Sequence, residues 1–378
     1  MREIGLQKGV ATGSTPIRVL VVDDSHVIRG LLTRSLDSDP GIKVVATASN
    51  GKAAIDEVTR TEIDVVVLDI EMPVMDGMTA LPQLLAARPG MQVIMASTLT
   101  LKGASISMKA LSKGAADYVP KPSSTGEINS AEDFKRELIS KVKSWGAVAR
   151  RRRGAAARQG GEPVSTAPRR FPAGPVKLRD VPTLFRPDCI AIGSSTGGPQ
   201  ALFKVFQMMG KVTNLPVFVT QHMPATFTTI LAEHLGQASG IPAAEAKDGE
   251  PVMPGRIYVA PGDFHMTVTV EGGRKVLHLD KNPPENFCRP AVDPMLRSLA
   301  KAYNGRVLTV ILTGMGQDGL KGGQELSAAG GVIAAQDEAT SVVWGMPGAV
   351  ASAGLCSAVL PLSDIGPYVR KAISRMAA

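Results

Sequence analysis

Short apolar runs alternate with stretches in which apolar positions return every three or four residues, and this alternation fills two long sections of the chain. In the first, the strand-like runs are 17–24 (IRVLVVDD), 44–49, 63–70 (IDVVVLDI), 92–98 (QVIMAST) and 117–122 (DYVPKP), with helical periodicity at 26–38, 51–61, 77–88, 106–114 and 133–145. Strand-then-helix repetition predicts a parallel sheet joined by right-handed crossovers, here a five-stranded α/β domain over 17–146. The second section, 188–376, resumes the pattern with runs at 188–195 (DCIAIGSS), 216–221, 256–261 and 306–314 (RVLTVILTG). It predicts a doubly wound α/β domain with one antiparallel hairpin around 266–279.

Between the two lies 147–187, rich in Pro, Gly and Ala and without sustained period, which reads as a flexible linker. It carries ten basic residues against two acidic ones, so it alone supplies the formal net charge of +8. The two patterned sections are therefore close to neutral, and neither offers the basic face of a DNA reader. At 44% hydrophobic and 20% charged, the chain has the mix of soluble globular domains. The first residues lack a signal-peptide core and no apolar run approaches the ~18 residues of a membrane span, so a cytoplasmic protein is expected. Cys189, Cys288 and Cys356 fit no metal-binding spacing and read as buried structural thiols.

The candidate chemistry sits where strands end. Asp23 and Asp24 close the first strand and Asp69 the third, and in an open parallel sheet such ends face one crevice. Carboxylates gathered there repel one another unless a cation joins them, and oxygen ligands suit a hard ion such as Mg²⁺. Ser97 and Lys121 follow the fourth and fifth strands, placing a hydroxyl and an ammonium within reach of a phosphoryl group on an aspartate.

In the second section, a strand runs directly into Gly193-Ser194-Ser195-Thr196-Gly197-Gly198-Pro199 and then a helix. Small residues permit a tight turn, and a helix N-terminus favours developing negative charge. Such a turn cradles a phosphate or presents a nucleophile, and on its own Gly193-x-Ser195-x-Gly197 leaves both readings open. His222 follows the next strand and Asp318 follows 306–314, so nucleophile, base and orienter would each come from a separate strand end. His265 and Asp263 are weaker rivals, His234 and His278 read as structural, and Asp293 is expected to be the N-cap of the helix at 294–303.

The motifs of the first section, DDS (23–25), VLDIEMPVMDG (67–77), MAST (95–98) and VPKP (119–122), resemble the receiver domain of bacterial response regulators. Those of the second, GSSTGGP (193–199), TQHMP (220–224), VAPGDFHM (259–266), VDPML (292–296), LTGMGQDG (312–319) and VVWGMPGA (342–349), resemble the CheB family of protein-glutamate methylesterases. The receiver resemblance implies a flavodoxin-like fold, phosphorylation at Asp69, Mg²⁺ held by Asp23, Asp24 and Asp69, and Ser97 and Lys121 at the phosphoryl group. The methylesterase resemblance implies hydrolysis of glutamyl methyl esters on chemoreceptors, and deamidation of glutamines. Its catalytic set would be Ser195, His222 and Asp318, with oxyanion support at Thr196 and Met315 and no cofactor for the hydrolysis. The partners so implied are membrane chemoreceptors as substrates and a CheA-type histidine kinase as phosphodonor. A regulator binding nucleic acid through its arginines is the rival reading; the missing helix-turn-helix pattern argues against it.

Overall fold

The computed structural model describes residues 15–121, 128–157, 176–210 and 214–374. The first sheet has the order β2-β1-β3-β4-β5, from strands β1 (Ile17–Val22), β2 (Ile42–Ala48), β3 (Val65–Asp69), β4 (Gln92–Ser97) and β5 (Asp117–Pro120). β1 pairs in parallel with both β2 and β3, and every residue of β3 is buried, as expected where helices cover both faces of a sheet. The helices are α1 (His26–Asp37), α2 (Gly51–Arg60), α3 (Gly77–Ala87), α4 (Leu101–Ser112) and α5 (Ile128–Ala157). Ser25, Asn50, Asp76 and Thr100 start the first four by accepting a hydrogen bond from the third residue onward.

α5 departs from the expected organisation. The helix continues through Arg150 to Arg153 as far as Ala157, so the arginine run is helical rather than the start of a structureless tether. The segment lacks an apolar period, but Ala and Arg are strong helix formers, and tertiary ion pairs add to that propensity. Arg150 and Arg153 converge with Arg18 on Asp64, whose side chain is fully buried. Burial opposes the charge on Asp64, but the Arg18 N–H and the Arg153 and Arg150 guanidiniums outweigh it and hold the carboxyl below its usual range. Residues 158–175 of the expected linker lie outside the described residues.

The second domain is built on seven parallel strands in the order β14-β13-β12-β6-β7-β9-β8. The strands are β6 (Cys189–Ser194), β7 (Val217–Gln221), β8 (Ala243–Glu245), β9 (Ile257–Val259), β12 (Val307–Ile311), β13 (Val332–Gln336) and β14 (Cys356–Leu360). The predicted hairpin is present as β10 (His265–Glu271) and β11 (Arg274–Asp280), paired antiparallel. Around the sheet run α6 (Gly198–Met209), α7 (Phe227–Ser239), α8 (Val292–Ala302), α9 (Leu320–Ala328), α10 (Met346–Ser352) and α11 (Leu362–Ser374).

β8, β14, α10 and α11 have no counterpart among the elements predicted from sequence. β8 is only three residues long, and α11 contains Gly366 and Pro367, which read as breakers. A Cβ on Gly366 would meet Met208 Cβ at 2.7 Å, so the glycine lets α11 lie directly on α6. β6 is the first strand of this domain, and later strands add on both its sides, β7 on one and β12 on the other. That reversal of direction opens a crevice at the carboxyl ends of β6, β7 and β12, the place where such sheets bind ligands.

Candidate active site

In the first domain, oxygen atoms of Asp23, Asp24 and Asp69 lie within 4.8 Å of one another. Asp23 and Asp69 are buried and Asp24 is exposed, so the cluster opens to solvent on one side. Asp23 Oδ1 accepts the Ser25 N–H at 2.9 Å and Asp69 Oδ1 that of Ile70 at 2.7 Å. Three converging carboxylates are an all-oxygen donor set that fits a small hard divalent cation. Ser97 closes β4, Lys121 follows β5, and the Lys121 N–H donates to the Ser97 carbonyl at 2.6 Å, linking these two strand ends.

In the second domain, Ser195 is partly exposed in a turn whose neighbours from Cys189 to Pro199 are all buried. Gly197 takes φ +75° and serves as the N-cap of α6 without a side-chain cap, and the Gly198 N–H at the start of that helix turns back to donate to Ser195 O at 2.7 Å. A Cβ at Gly197 would sit 2.6 Å from Val342 Cγ2. Gly197→Ala is therefore expected to destabilise this domain by the ~1–2 kcal/mol of a left-handed residue plus the clash, and so to lower its melting temperature. An unchanged melting curve would count against this account of the turn.

The turn is fastened to its neighbours on both sides. Ser195 N–H donates to Thr313 O at 3.0 Å, and Thr313 Oγ1 donates to Thr196 O at 3.0 Å. On the other side, buried Gln221 donates through Nε2 to Ser195 O at 2.9 Å and to His222 O at 3.1 Å, while Ser194 Oγ donates to Gln221 Oε1 at 2.7 Å. His222 N–H donates to Ser194 O at 3.1 Å, and Ser194 pairs with Gln221 in the β6–β7 register. Ser195 and His222 thus follow adjacent, register-matched strand ends.

Asp318 Oδ2 lies 2.7 Å from His222 Nε2, and its side chain is 1% exposed. The same carboxylate accepts N–H groups from Val292 at 2.6 Å, Asp293 at 3.0 Å and Gly319 at 2.9 Å, and the Asn286 Nδ2 at 3.0 Å. Burial opposes its charge, but the His222 bond and the Val292 and Asp293 amides at the start of α8 prevail and hold the carboxyl below its usual range. In the neutral ring, an ionised acceptor there takes the hydrogen of His222 Nε2, and the lone pair is then on Nδ1. Burial likewise opposes a charge on His222, while the Cys288 sulfur and Asp318 raise its pKa.

The expected N-cap role of Asp293 is not what the structure shows. Ala291 occupies the N-cap of α8 without a side-chain bond, and Asp318 from a distant loop takes the donors a cap would take. Asp293 is itself buried and accepts the Gly322 N–H of α9 at 2.7 Å and Asn286 Nδ2 at 3.0 Å. Asp318 thus caps α8, which contains Asp293, and Asp293 accepts from the first turn of α9, which follows Asp318. Burial and the neighbouring Asp318 charge push the Asp293 carboxyl up to about 6.

Of the rivals, Asp263 is engaged by Arg289 at 2.6 Å and Lys281 at 3.0 Å. His265 bridges Pro283 O and the Ala291 N–H, each at 3.2 Å, and so anchors the loop before α8. Cys288 is a correction to the expected buried thiol. It is partly exposed, and its Sγ lies 3.2 Å from His222 Nδ1, whereas Cys189 and Cys356 are buried. Asn286 and Cys288 lie outside every motif, and Gln221 and Asp293, although inside TQHMP and VDPML, had no role in the site assigned from sequence. Only a register argument, placing Gln221 at the end of β7 beside His222, would have found one of them.

A receiver fold with an acidic pocket, in one chain with a parallel α/β domain that carries a serine turn and a histidine–aspartate pair at neighbouring strand ends, defines a response regulator with a hydrolase output. The CheB methylesterase family model matches residues 190–369, and that of the response regulator receiver domain matches 19–132. A protein-glutamate methylesterase/protein-glutamine glutaminase of Azospirillum brasilense is 61% identical over 97% of this chain and 95% of its own. One from the group 2 operon of Rhodospirillum centenum is 60% identical over 98% and 97%. The crystal structure of the Thermotoga maritima CheB methylesterase catalytic domain aligns with 49% of this chain and 98% of that one, at 42% identity and a TM-score of 0.48. The chain belongs to the CheB family of receiver-linked methylesterases. Among the described residues, no helix is long and apolar enough to cross a membrane.

Proposed function

We propose that this chain removes methyl groups from glutamyl methyl esters on membrane chemoreceptors, and deamidates receptor glutamines, at a rate set by phosphorylation of Asp69. The observation that carries the reading is the His222–Asp318 pair beside the Ser195 turn, on the sheet's switch point. With Nε2–H committed to Asp318, Nδ1 is the nitrogen that takes the Ser195 proton as Oγ attacks the ester carbonyl. The imidazolium returns that proton to the departing methanol, or to ammonia from an amide, leaving a glutamyl ester on Ser195. Water activated by the same nitrogen then releases the glutamate and restores the serine.

The Thr196 and Met315 N–H groups are the oxyanion donors in this reading. Its support is that Thr196 directly follows the nucleophile ahead of α6, and that a Cβ on Gly314, next to Met315, would come within 2.9 Å of Ser195 Cβ. Removing one such donor typically costs about 10²–10³ in rate.

In the receiver, Asp23, Asp24 and Asp69 would hold Mg²⁺, which offsets charge as Asp69 accepts a phosphoryl group. Lys121 and Ser97 would contact that group, and a CheA-type histidine kinase would supply it. Asp69→Asn is expected to abolish labelling by a small-molecule phosphodonor and the rise in methanol release that it provokes, with chelation of divalent metal giving the same loss in the unaltered protein. Persisting activation of Asp69→Asn would place the phosphoryl group elsewhere. The central test is methanol release from methyl-labelled receptor fragments, with no release overturning the substrate assignment.

A further inference from the structure

The turn that carries Cys288 is unusual in its backbone. Glu285 and Cys288 exchange two backbone hydrogen bonds, and the residues between them, Asn286 and Phe287, take φ +53° and +64°. Two successive left-handed residues make the tight turn of a two-residue hairpin, here without the glycine that normally relieves it. Strain of this kind persists where surrounding structure fixes it. Here Asn286 is fixed by hydrogen bonds to Asp318 and Asp293, and Cys288 by His222.

The thiol therefore lies on the one ring nitrogen of His222 that Asp318 leaves free. Cys288 Sγ, His222 and Asp318 form a chain of contacts at 3.2 and 2.7 Å, which is the arrangement that activates a cysteine nucleophile. Cys288 is also partly exposed, unlike the buried Cys189 and Cys356. Reactive cysteines combine access with a neighbouring proton acceptor, and structural ones lack both.

We propose that Cys288 is a modification site for hydroperoxides, and that its oxidation reversibly silences the esterase. His222 Nδ1 takes the thiol proton, and the sulfur attacks one oxygen of the peroxide. The S–O bond forms as the O–O bond breaks, and the departing hydroxide, or alkoxide from an organic hydroperoxide, takes the proton back from Nδ1 and leaves as water or alcohol. Sulfur is oxidised to sulfenic acid and the peroxide is reduced. The new S–OH then lies against Nδ1 and keeps that nitrogen from the Ser195 hydroxyl. Two equivalents of a small thiol reverse the change, giving cysteine, a disulfide of the reductant and water.

The inference rests on the reading of His222 as the esterase base, so its test has one arm that needs no esterase. The full chain is treated with hydrogen peroxide and dimedone, and the adduct is mapped by mass spectrometry in the unaltered protein, Ser195→Ala and His222→Gln. A Cys288 adduct is expected in the first two, forming at least tenfold more slowly in His222→Gln. In parallel, peroxide alone should lower methanol release by the unaltered protein at least tenfold, with dithiothreitol restoring it. Cys288→Ala should keep most of its own untreated rate. An adduct absent from Cys288, or loss of activity in Cys288→Ala as fast as in the unaltered protein, overturns the proposal; the latter would place the damage on a methionine such as Met315. Should Cys288→Ala fail to fold, adduct mapping and dithiothreitol recovery in the unaltered chain decide the matter.

Discussion

Ser195→Ala is expected to reduce methanol release by about 10⁴–10⁶, the range found when a serine hydrolase loses its nucleophile. The alanine removes only a partly exposed hydroxyl. The turn around it is held by backbone groups and by Gln221 and Thr313, none of which uses the Ser195 side chain. Its melting temperature should therefore stay within a degree or two of the unaltered protein, which separates lost chemistry from lost fold. Receiver phosphorylation should also persist, since the acidic pocket of Asp23, Asp24 and Asp69 belongs to the other domain. Retention of more than a hundredth of the activity would remove Ser195 from its role and return its turn to the rival reading of an anion cradle.

Asp318→Asn should lower turnover by about 10⁴, the size of the same exchange in a serine-protease triad. An amide cannot accept from every donor that Asp318 now serves, namely the His222 ring, three backbone N–H groups and Asn286. If its NH₂ faces the imidazole, the ring must present a lone pair at Nε2 and carry hydrogen on Nδ1, where Ser195 needs a base. Unpaired buried donors cost about 1–3 kcal/mol each, so this variant should melt lower than Ser195→Ala.

The pH profile provides a second reading of the same variant. Asp318 favours the imidazolium through its hydrogen bond and its charge, so it raises the His222 pKa. Without it the ring loses its proton more readily, and the neutral base persists to lower pH. The acid limb of kcat/KM should move downward in pH while the plateau falls. A limb that stays in place would mean that another group limits the rate on the acid side.

Much of the fold was legible because parallel sheets buried on both faces demand continuous apolar runs, and β1, β3, β6, β7 and β12 are such runs. The elements that were not legible depend on neighbours. α11 tolerates Gly366 and Pro367 because the glycine admits close approach to α6, and α5 continues through the arginines that pair with Asp64.

The site divides in the same way. Ser195, His222, Asp318 and the three receiver aspartates stand at strand ends, and topology places strand ends together, so their residue types and positions were readable along the chain. What surrounds them was not. Asp318 caps α8, Asp293 caps α9, Asn286 joins the two, and Cys288 meets His222 across 66 residues of sequence. The sequence by itself determined the buried central strands and which chemical groups stand at their ends, because periodicity and residue type are local properties. Only the tertiary structure decided which nitrogen of His222 is free and what lies against it, because hydrogen-bond partners are chosen by three-dimensional proximity.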